Sequence, residues 1–438
     1  MRIPTTHRPQ REKGIVILLV AVMLLFVVGA IAALAIDVVT LYTARSEAQL
    51  AADSAALAGA RALVNSGITS VDPTDPGYAT MLSGGSGAED QARIIATRVA
   101  TGNKVGGQFL SGAGACAGGG EISVCFNDST FPSNPQVTVT IQRTDLPTFF
   151  ARLLGRTVLA VSATATAEAY NPSRDPAKIP VAPTCVKPWL LPNLDPSNPP
   201  NTIFDSAGNI TNPALLGWSG TPMSLACGGA GCTPTPLPGP SAWKYYPGDD
   251  GPGFFPPPTS SLPTTCSPVL SSNYQQSIAG CIPVPIACNA TSKIDINAYA
   301  NRGSETADAV NCLTHATATL QDADQIDLGY ATVPFQFDAG TNNPITGAAT
   351  KRVLVSSSLV TVPVFDHTLA GWQTTGDVQI IGFVQLFLNP DSIAALPTPS
   401  GNVNAKVINM VGCGTGATGT PILGNGASAV PVRLVTPP

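Results

Sequence analysis

The chain has 438 residues, of which 11% are charged and 44% are hydrophobic, with a formal net charge of −5 and three histidines. A nucleic-acid-binding surface needs an excess of basic residues, and a histidine-rich metal site needs more histidines, so the composition argues against both classes. Glycine and proline make up about 19% of the chain, below the roughly 25–30% of disordered low-complexity sequences, so a folded core is expected.

An uncharged apolar run of 23 residues lies near the N-terminus and extends from Gly14 through Gly29 to Ile36. As a helix it is about 34 Å long, enough to cross a hydrocarbon core of roughly 30 Å. Because four basic residues and one acidic residue precede the run, residues 1–13 are expected to stay in the cytoplasm. The sequence therefore predicts a single transmembrane helix at residues 14–36, in contact with membrane lipid, and an exported body.

Two other interpretations of the run remain open. Ala33-Leu34-Ala35 has the A-x-A pattern of a cleaved secretory signal, although the run is longer than the usual apolar region of such signals. Lys13-Gly14 precedes the run as in prepilin leaders, but Leu19 stands where that processing usually requires glutamate. In each interpretation the body is exported, and Asp37 lies at the far boundary, where water is expected to reach it.

Residues 37–64 are rich in alanine, the strongest helix former, and predict that the helix continues for about 40 Å beyond the membrane. Small residues recur there at spacings of three or four and form one smooth stripe. We expect the stripe to pack either on the chain's own domain or on a partner chain, and the oligomeric state stays open. The members of the stripe are Ala44, Ala48, Ala52, Ala55, Gly59 and Ala62.

The region from residue 37 to residue 170 is predicted to be one exported α+β unit. Helical spacing of apolar residues predicts a helix at Glu89–Ala100, and Asp145 is expected to cap a short helix that runs through Leu154. Alternating apolar and polar residues predict strands. The long helix would then pack on a small antiparallel sheet. The predicted strands are Glu121–Phe126, Gln136–Arg143 and Thr157–Ala169.

The run from Arg11 to Ala62 resembles the N-terminal segment of Flp pilus-assembly proteins of the TadG-like (tight adherence) family. The resemblance lies in the basic residues before Gly14, in the hydrophobic span that ends in AIDVVTLY at 35–42, and in the segment QLAADSAALAGA at 49–60. A weaker echo follows in LPTFFARLLG at 146–155 and VSATATA at 161–167, so family-like sequence is expected to reach about residue 170.

This resemblance implies a membrane-anchored accessory of a tight-adherence secretion and pilus system, with its C-terminal part in the periplasm and the pilus-assembly machinery as its partner. Many relatives also carry a von Willebrand-type domain whose metal site begins D-x-S-x-S. That motif is absent from this sequence, so neither the domain nor its metal is expected.

Residues 171–290 contain 24 prolines, which cannot donate hydrogen bonds within a sheet or a helix. The segment also contains many aromatic residues, which a purely disordered linker would lack. We therefore expect an irregular insertion, held by disulfides, that packs on the neighbouring domain. An exposed aromatic binding patch is the alternative. The aromatic residues are Trp189, Trp218, Trp243, Tyr245, Tyr246, Phe254 and Phe255.

Residues 291–438 are predicted to form a second, mainly β domain. A helix is expected at Glu305–Ala318, and the apolar run Val378–Leu388 is typical of a central buried strand. Further strands are expected at Ala331–Phe337, Arg352–Val355, Leu359–Phe365 and Val403–Val411.

The ten cysteines all lie at or after Cys116, and an even number confined to an exported region predicts disulfides. A zinc site is disfavoured because CGGAGC lacks C-x-x-C spacing and has no histidine nearby. Cys185, Cys266, Cys312 and Cys413 would form two longer bridges, in any of three arrangements. The expected close pairs are Cys116 with Cys125, Cys227 with Cys232, and Cys281 with Cys288.

Three motifs suggest chemistry only weakly. The G-x-G-x-x-G pattern at 414–419 lacks a following helix and a later acidic residue, so it predicts a loop rather than a cofactor site. Asp366-His367 suits a turn better than acid–base catalysis. Asp322, Asp324 and Asp327 resemble the start of a calcium loop, but Val333 occupies the twelfth position.

Taken together, the sequence predicts an α+β protein that uses no cofactor and no metal and is not an enzyme. It is expected to be a single-pass protein of the bacterial inner membrane, with a cytoplasmic N-terminus and a periplasmic or extracellular body, that assists assembly or anchoring of Flp-type pili. The alternative function is that of a secreted or surface adhesin that binds its ligand through the proline- and aromatic-rich region.

Overall fold

The structure is a computed structural model. It describes residues 11–112, 114–116, 119–127, 134–148, 150–155, 157–219, 223–226, 243–251, 255, 266, 269–296, 299–316, 322–345, 347–388, 401–414, 419–424 and 428–436, with the backbone alone at 11–13, 153–154 and 299–301. The helices of these residues are α1 (Arg11–Asn65), α2 (Tyr78–Ser83), α3 (Ala88–Thr101), α4 (Asn273–Ala279), α5 (Tyr299–Leu313) and α6 (Trp372–Thr375). Short 3₁₀ helices lie at Ile68–Ser70, Ala151–Leu154, Pro213–Leu215 and Leu328–Tyr330.

The strands of the first half of the chain are β1 (Lys104–Val105), β2 (Gln108–Phe109), β3 (Ile122–Phe126), β4 (Gln136–Pro147), β5 (Val158–Ala169), β6 (Val181–Ala182) and β7 (Trp189–Pro192). The later strands are β8 (Ser224–Leu225), β9 (Lys244–Pro247), β10 (Thr291–Lys293), β11 (Gln325–Ile326), β12 (Phe337–Asp338), β13 (Arg352–Val353), β14 (Leu359–Phe365), β15 (Asp377–Leu388), β16 (Ala405–Gly412), β17 (Ile422–Leu423) and β18 (Val432–Val435). The predicted mixed α+β fold is therefore confirmed.

The first sheet is antiparallel and has the order β18-β5-β4-β3. Its inner face follows the alternation of β4 and β5, in which branched side chains of one strand lie opposite alanines of the other. Helices α1 and α3 cover this face, and the alanines leave room for α1 to approach closely. The facing pairs are Val137–Ala167, Val139–Ala165 and Ile141–Ala163.

The second sheet has seven strands in the order β10-β15-β14-β7-β9-β8, with β16 paired to the other part of β15. Strands β14, β15 and β16 form its antiparallel centre, and every residue of β14 and β16 is buried. Strand β7 joins the centre in parallel, with Val364 opposite Leu191. Segments 171–290 and 291–438 therefore contribute strands to one sheet. A smaller sheet, β11-β12-β13, and the pairs β1-β2 and β6-β17 complete the strands.

A buried polar cluster joins the end of α1 to the second sheet. The Asn409 side-chain amide in β16 donates hydrogen bonds to the Val64 carbonyl and to Gln385 Oε1, each at 2.7 Å, and its oxygen accepts one from Thr69 Oγ1 at 3.0 Å. Asn171 adds to the cluster by donating to the Thr69 carbonyl at 3.0 Å. Buried hydrogen bonds of this kind fix one arrangement of the elements, because each unmade bond is costly.

Two predictions of local structure are wrong. Asp145 does not cap a helix: it lies within β4, where Arg143 Nε is 2.6 Å from its Oδ1, and this hydrogen bond holds the pKa of Asp145 below its ordinary value. The predicted strand Ala331–Phe337 is mostly irregular, with only Phe337 in a strand, while Leu328–Tyr330 just before it is a 3₁₀ helix. Helix α4 begins at a capping box formed by Ser272 and Gln275.

Candidate functional site

Helix α1 has one exposed apolar half and one buried half. By length and composition it is capable of crossing a membrane, and its most apolar 18-residue window has a mean hydropathy of 3.3 and contains no buried residue. Gly14 and Gly29 lie on this exposed half, and Ile36 at its end is 49% exposed. From Ala44 onward the helix enters the core. The predicted anchor residues thus lie on a continuous apolar cylinder that no described part of the chain covers, apart from Ala33.

Asp37 stands where the exposed half ends, and it is buried rather than in contact with water. Its side chain is 3% exposed, and Oδ2 accepts hydrogen bonds from the backbone amides of Phe150 at 3.0 Å and Ala151 at 2.7 Å. These amides begin the 3₁₀ helix Ala151–Leu154, whose first N–H groups have no partner within the helix. The carboxylate therefore fixes a distant loop against α1, and the prediction that water reaches Asp37 is wrong.

The loop that Asp37 holds is the end of the β4–β5 hairpin, which we call the hairpin tip and define as residues 146–148, 150–155 and 157–159. Its base is closed by the pairs Leu146–Leu159 and Pro147–Val158. Arg143 supports the base by bonding to Gln108 Oε1 at 2.7 Å and by an ion pair with Glu121 at 3.1 Å. The tip is thus a positioned element, and it lies at the level where α1 leaves its exposed half.

The exposed surface of the hairpin tip combines apolar side chains with a cation. Phe150 is 39% exposed, Val158 is 52% exposed, and Arg152 is exposed. An open groove of about 360 Å³ lies between α1, the base of the tip and the β1–β2 turn. Its walls are mainly apolar, and Glu47 lines it at one side. The apolar members of its walls include Val39, Leu41, Leu146, Pro147 and Leu159.

The small-residue stripe of α1 is buried within the chain. All six positions, Ala44, Ala48, Ala52, Ala55, Gly59 and Ala62, pack in the core against α3 and the first sheet. The fit is tight: a Cβ added at Gly59 would lie 3.0 Å from Val137 Cγ1 and 3.3 Å from Ala96 Cβ. The stripe thus packs on the chain's own domain, and it is not free to receive a partner chain, the other arrangement that the sequence allowed.

A protein-family model matches a segment of α1 that includes parts of both its exposed and its buried half. Residues 14–62 match the model of the Tad family, described as "Putative Flp pilus-assembly TadE/G-like". These residues are therefore similar to a Tad domain. The match associates the chain with Flp/Tad pilus assembly. No curated protein and no solved structure matches the chain. The match ends at Ala62, so family-like sequence up to about residue 170 stays a prediction.

The segment that matches the Tad model therefore comprises a 23-residue exposed apolar segment and the buried stripe, with Asp37 between them. Sequence reasoning placed Asp37 at this boundary but missed its function. An acidic residue directly after an apolar run signals the boundary. No local pattern shows that its partners lie 113 and 114 residues further along the chain.

The disulfides of the described residues only partly follow the expected pairing. Cys116 bonds to Cys125 as expected, but Cys281 bonds to Cys185 and Cys288 to Cys413, so the expected Cys281–Cys288 pair is wrong. The reason is that the segment around residues 281–288 runs beside residues 181–185. Cys227 and Cys232 lie outside the described residues. The fourth bridge joins Cys266 to Cys312.

Backbone hydrogen bonds show how the two segments align. The amide of Cys185 donates to the Ile282 carbonyl at 2.9 Å, that of Ile286 to Pro183 at 3.0 Å, and that of Cys288 to Val181 at 3.1 Å. Each cysteine of the later segment therefore bonds to a distant segment and not to its near neighbour in sequence.

The residues that suggested chemistry serve local structure. Asp366 Oδ1 accepts hydrogen bonds from the Thr368 amide and hydroxyl, as in an Asx turn, and burial lowers the pKa of the adjacent His367. Asp324 accepts from the Gly340 amide and the Ser356 hydroxyl. Within the described residues, no cluster of three acidic, histidine or cysteine side chains is arranged to hold a metal. Residues 415–418 of the glycine-rich motif lie outside the described part.

The aromatic residues of the proline-rich segment are mostly core residues. Trp189, Trp243, Tyr245, Tyr246 and Phe255 are all at most 3% exposed. Trp218, half-buried, packs edge-on against Trp243 with ring centroids 5.4 Å apart. Phe254 lies outside the described residues. The described aromatic side chains therefore stabilise the fold instead of forming the exposed patch that an adhesin would use.

Proposed function

We propose that this protein is a membrane-anchored, non-enzymatic accessory of Flp/Tad pilus assembly. Residues 14–36 would span the inner membrane once, with the basic residues Arg2, Arg8, Arg11 and Lys13 in the cytoplasm. The body after Asp37 would lie in the periplasm and contact the pilus-assembly machinery. The observation that carries the proposal is the Tad match across both the exposed apolar half and the buried half of α1.

The continuity of α1 supports a mechanical function. A helix of 55 residues is about 82 Å long, and here one uninterrupted helix leads from the apolar segment into the core of the first sheet. No hinge separates the two halves within α1, because Asp37 is itself part of the helix. A force or tilt applied at the membrane would therefore reach the exported sheet directly.

The disulfides are consistent with a body outside the cytoplasm. Four bridges join cysteines of the described residues, and none of those cysteines is free. Disulfides form and persist in oxidising compartments such as the bacterial periplasm and are rare in the cytosol. The location of the cysteines after residue 115 therefore supports export of this part of the chain.

Complementation of a deletion strain tests the proposal. Three chains would be compared: the full chain, a chain whose residues 14–36 are replaced by an unrelated 23-residue membrane span, and a chain whose residues 1–36 are replaced by a cleavable export signal. We expect the first two to restore pili, counted by electron microscopy, and the third to be exported but inactive. Normal pili in the deletion strain would refute the pilus function, and full activity of the third chain would refute the anchor.

A further inference from the structure

We propose that the hairpin tip binds phospholipids at the outer surface of the same membrane that α1 crosses. The inference rests on the membrane anchor of the proposed function and adds a second attachment point. Its basis is the hydrogen bonding of the tip at Asp37, the residue with which the apolar segment ends.

The height of the tip along α1 follows from this contact. The exposed apolar segment, Gly14–Ile36, is about 34 Å long, so a bilayer that covers it ends close to Asp37. Ala33 lies one helical turn earlier and is only 2% exposed, so the chain already covers α1 about 6 Å before Asp37. The tip amides that Asp37 binds are therefore at the level of the lipid headgroups or slightly below it.

The chemistry of this surface suits the boundary between hydrocarbon and headgroups. On the tip, Phe150 and Val158 expose apolar surface, and Arg152 is a cation within reach of lipid phosphates. On α1, Val39 is 62% exposed, and Tyr42, one turn further out, is 72% exposed. A tyrosine near the end of a span is typical of the interfacial aromatic belt, where the ring is buried and the hydroxyl is hydrated.

The groove between α1 and the tip continues the same apolar surface. Val39 and Leu41 line it from α1, and Leu146 and Leu159 line it from the base of the tip. The groove begins at Val39, just beyond Asp37, so it opens at the level of the lipid headgroups, and its apolar walls would contact the parts of the lipid nearest the acyl chains. Phospholipid is therefore the occupant that fits both the groove and the exposed cation.

Two attachment points to the membrane restrict the orientation of the exported body more than one point does. A single span lets the exported body rotate and tilt, whereas a second contact at the tip opposes rotation about the α1 axis and tilting away from the tip. The β4–β5 hairpin carries the first sheet, so tip binding would hold that sheet at a fixed angle to the membrane surface.

Tryptophan substitutions in the full chain, reconstituted into vesicles of phosphatidylethanolamine and phosphatidylglycerol, test the proposal. Lipids with brominated acyl chains quench tryptophan only where the ring enters the bilayer. We expect emission of the Phe150→Trp and Val158→Trp variants to fall in brominated vesicles. The matched control is Val355→Trp, at a position 69% exposed and next to Leu354, which hydrogen-bonds Asn65 at the far end of α1; its emission should be unchanged.

A Leu25→Trp variant separates the two proposals, because Leu25 is 75% exposed in the middle of the apolar segment. Quenching at position 25 without quenching at 150 and 158 would overturn the lipid-bound tip and leave the anchor intact. Absence of quenching at position 25 would overturn the anchor itself, and with it this inference. In the Phe150→Trp background, Arg152→Glu should reduce quenching in the anionic vesicles, whereas Arg45→Glu on exposed α1 surface should not.

Discussion

Asp37 Oδ2 accepts a hydrogen bond of 2.7 Å from the amide of Ala151, a residue 114 positions later in the chain. The same oxygen accepts from Phe150, so one carboxylate satisfies two amides at the start of a 3₁₀ helix. Hydrogen bonds to a charged acceptor are stronger than those between neutral groups, and burial makes their loss costly. This contact therefore couples the end of the apolar segment to the first sheet.

Asp37→Ala should loosen the hairpin tip. Two half-buried amides would lose their acceptor, at a cost of about 1–3 kcal/mol in total, so we expect hydrogen exchange at residues 150–154 to become about tenfold faster. Asp37→Asn keeps an acceptor oxygen and should give a smaller increase. Arg45→Ala, on exposed surface of α1, is the control. Unchanged exchange in Asp37→Ala would show that the tip is held by other contacts.

Larger side chains within the small-residue stripe should destabilise the fold of the isolated chain. Ala52 and Ala55 are fully buried, and inserting leucine at either position overpacks the contact with α3 and the first sheet, at a cost of about 1–3 kcal/mol. Leu50→Ala is the matched control, since Leu50 is 66% exposed on the same helix. Denaturant unfolding of detergent-solubilised protein measures the effect. Wild-type stability in Ala52→Leu would be incompatible with the packing described.

The long-range disulfides should stabilise more than the short one. In the chain-entropy account, closing the 125-residue separation of Cys288–Cys413 stabilises by about 5 kcal/mol, against about 2.5 kcal/mol for the 9-residue separation of Cys116–Cys125. Paired cysteine-to-alanine variants of each bridge should therefore differ in midpoint of unfolding. Peptide mapping of non-reduced protein checks the pairing itself; a peptide that links Cys281 to Cys288 would contradict it.

Lys187 should make stability depend on pH. Burial lowers its pKa from 10.5 to about 7, and Nζ donates to the Gly280 carbonyl at 2.7 Å. Between pH 7 and about 10 the unfolded chain keeps a proton that the folded chain has lost. The contribution of this group to the free energy of unfolding therefore rises with pH, by at most about 1.4 kcal/mol per unit.

The Lys187→Met variant removes the titrating group, so the difference between its melting temperature and that of the wild type should change steadily from pH 7 to pH 9. Lys351→Met, at an exposed lysine, is the control and should give a constant difference. A constant difference for Lys187→Met as well would mean that its folded-state pKa is near that of the unfolded chain.

Elements with a strong local pattern were predictable from the sequence. The strand at Leu359–Phe365 has its expected bounds, and the helix expected at Glu89–Ala100 differs by one residue at each end. Such patterns suffice to predict a helix or a strand, because the spacing of buried side chains can be read from a few neighbouring residues. Asp145 shows where they fail: its sequence suits a helix cap, but Arg143, two residues earlier in the same strand, provides a stronger partner.

Long-range partners were not predictable in this way. The parallel pairing of β7 with β14 joins Leu191 to Val364, and neither strand's sequence specifies the other. The Cys281–Cys288 pairing was wrong for the same reason, because packing of residues 281–288 along residues 181–185 decides which thiols meet. The apolar segment of α1 was evident from composition, whereas the loop that Asp37 binds follows only from the folded hairpin.

The pairing of Val432 with Ala169 has a consequence for biogenesis. Arg433 and Glu168 are 265 positions apart, and at roughly 5–20 residues per second a ribosome needs on the order of 13–50 s to make the intervening chain. Throughout that interval one edge of β5 would be unpaired, and an unpaired edge can bind a strand from another chain. The first sheet is therefore complete only after β18 has been translocated. A chaperone that shields the free edge of β5 until then would raise the yield of correctly folded protein.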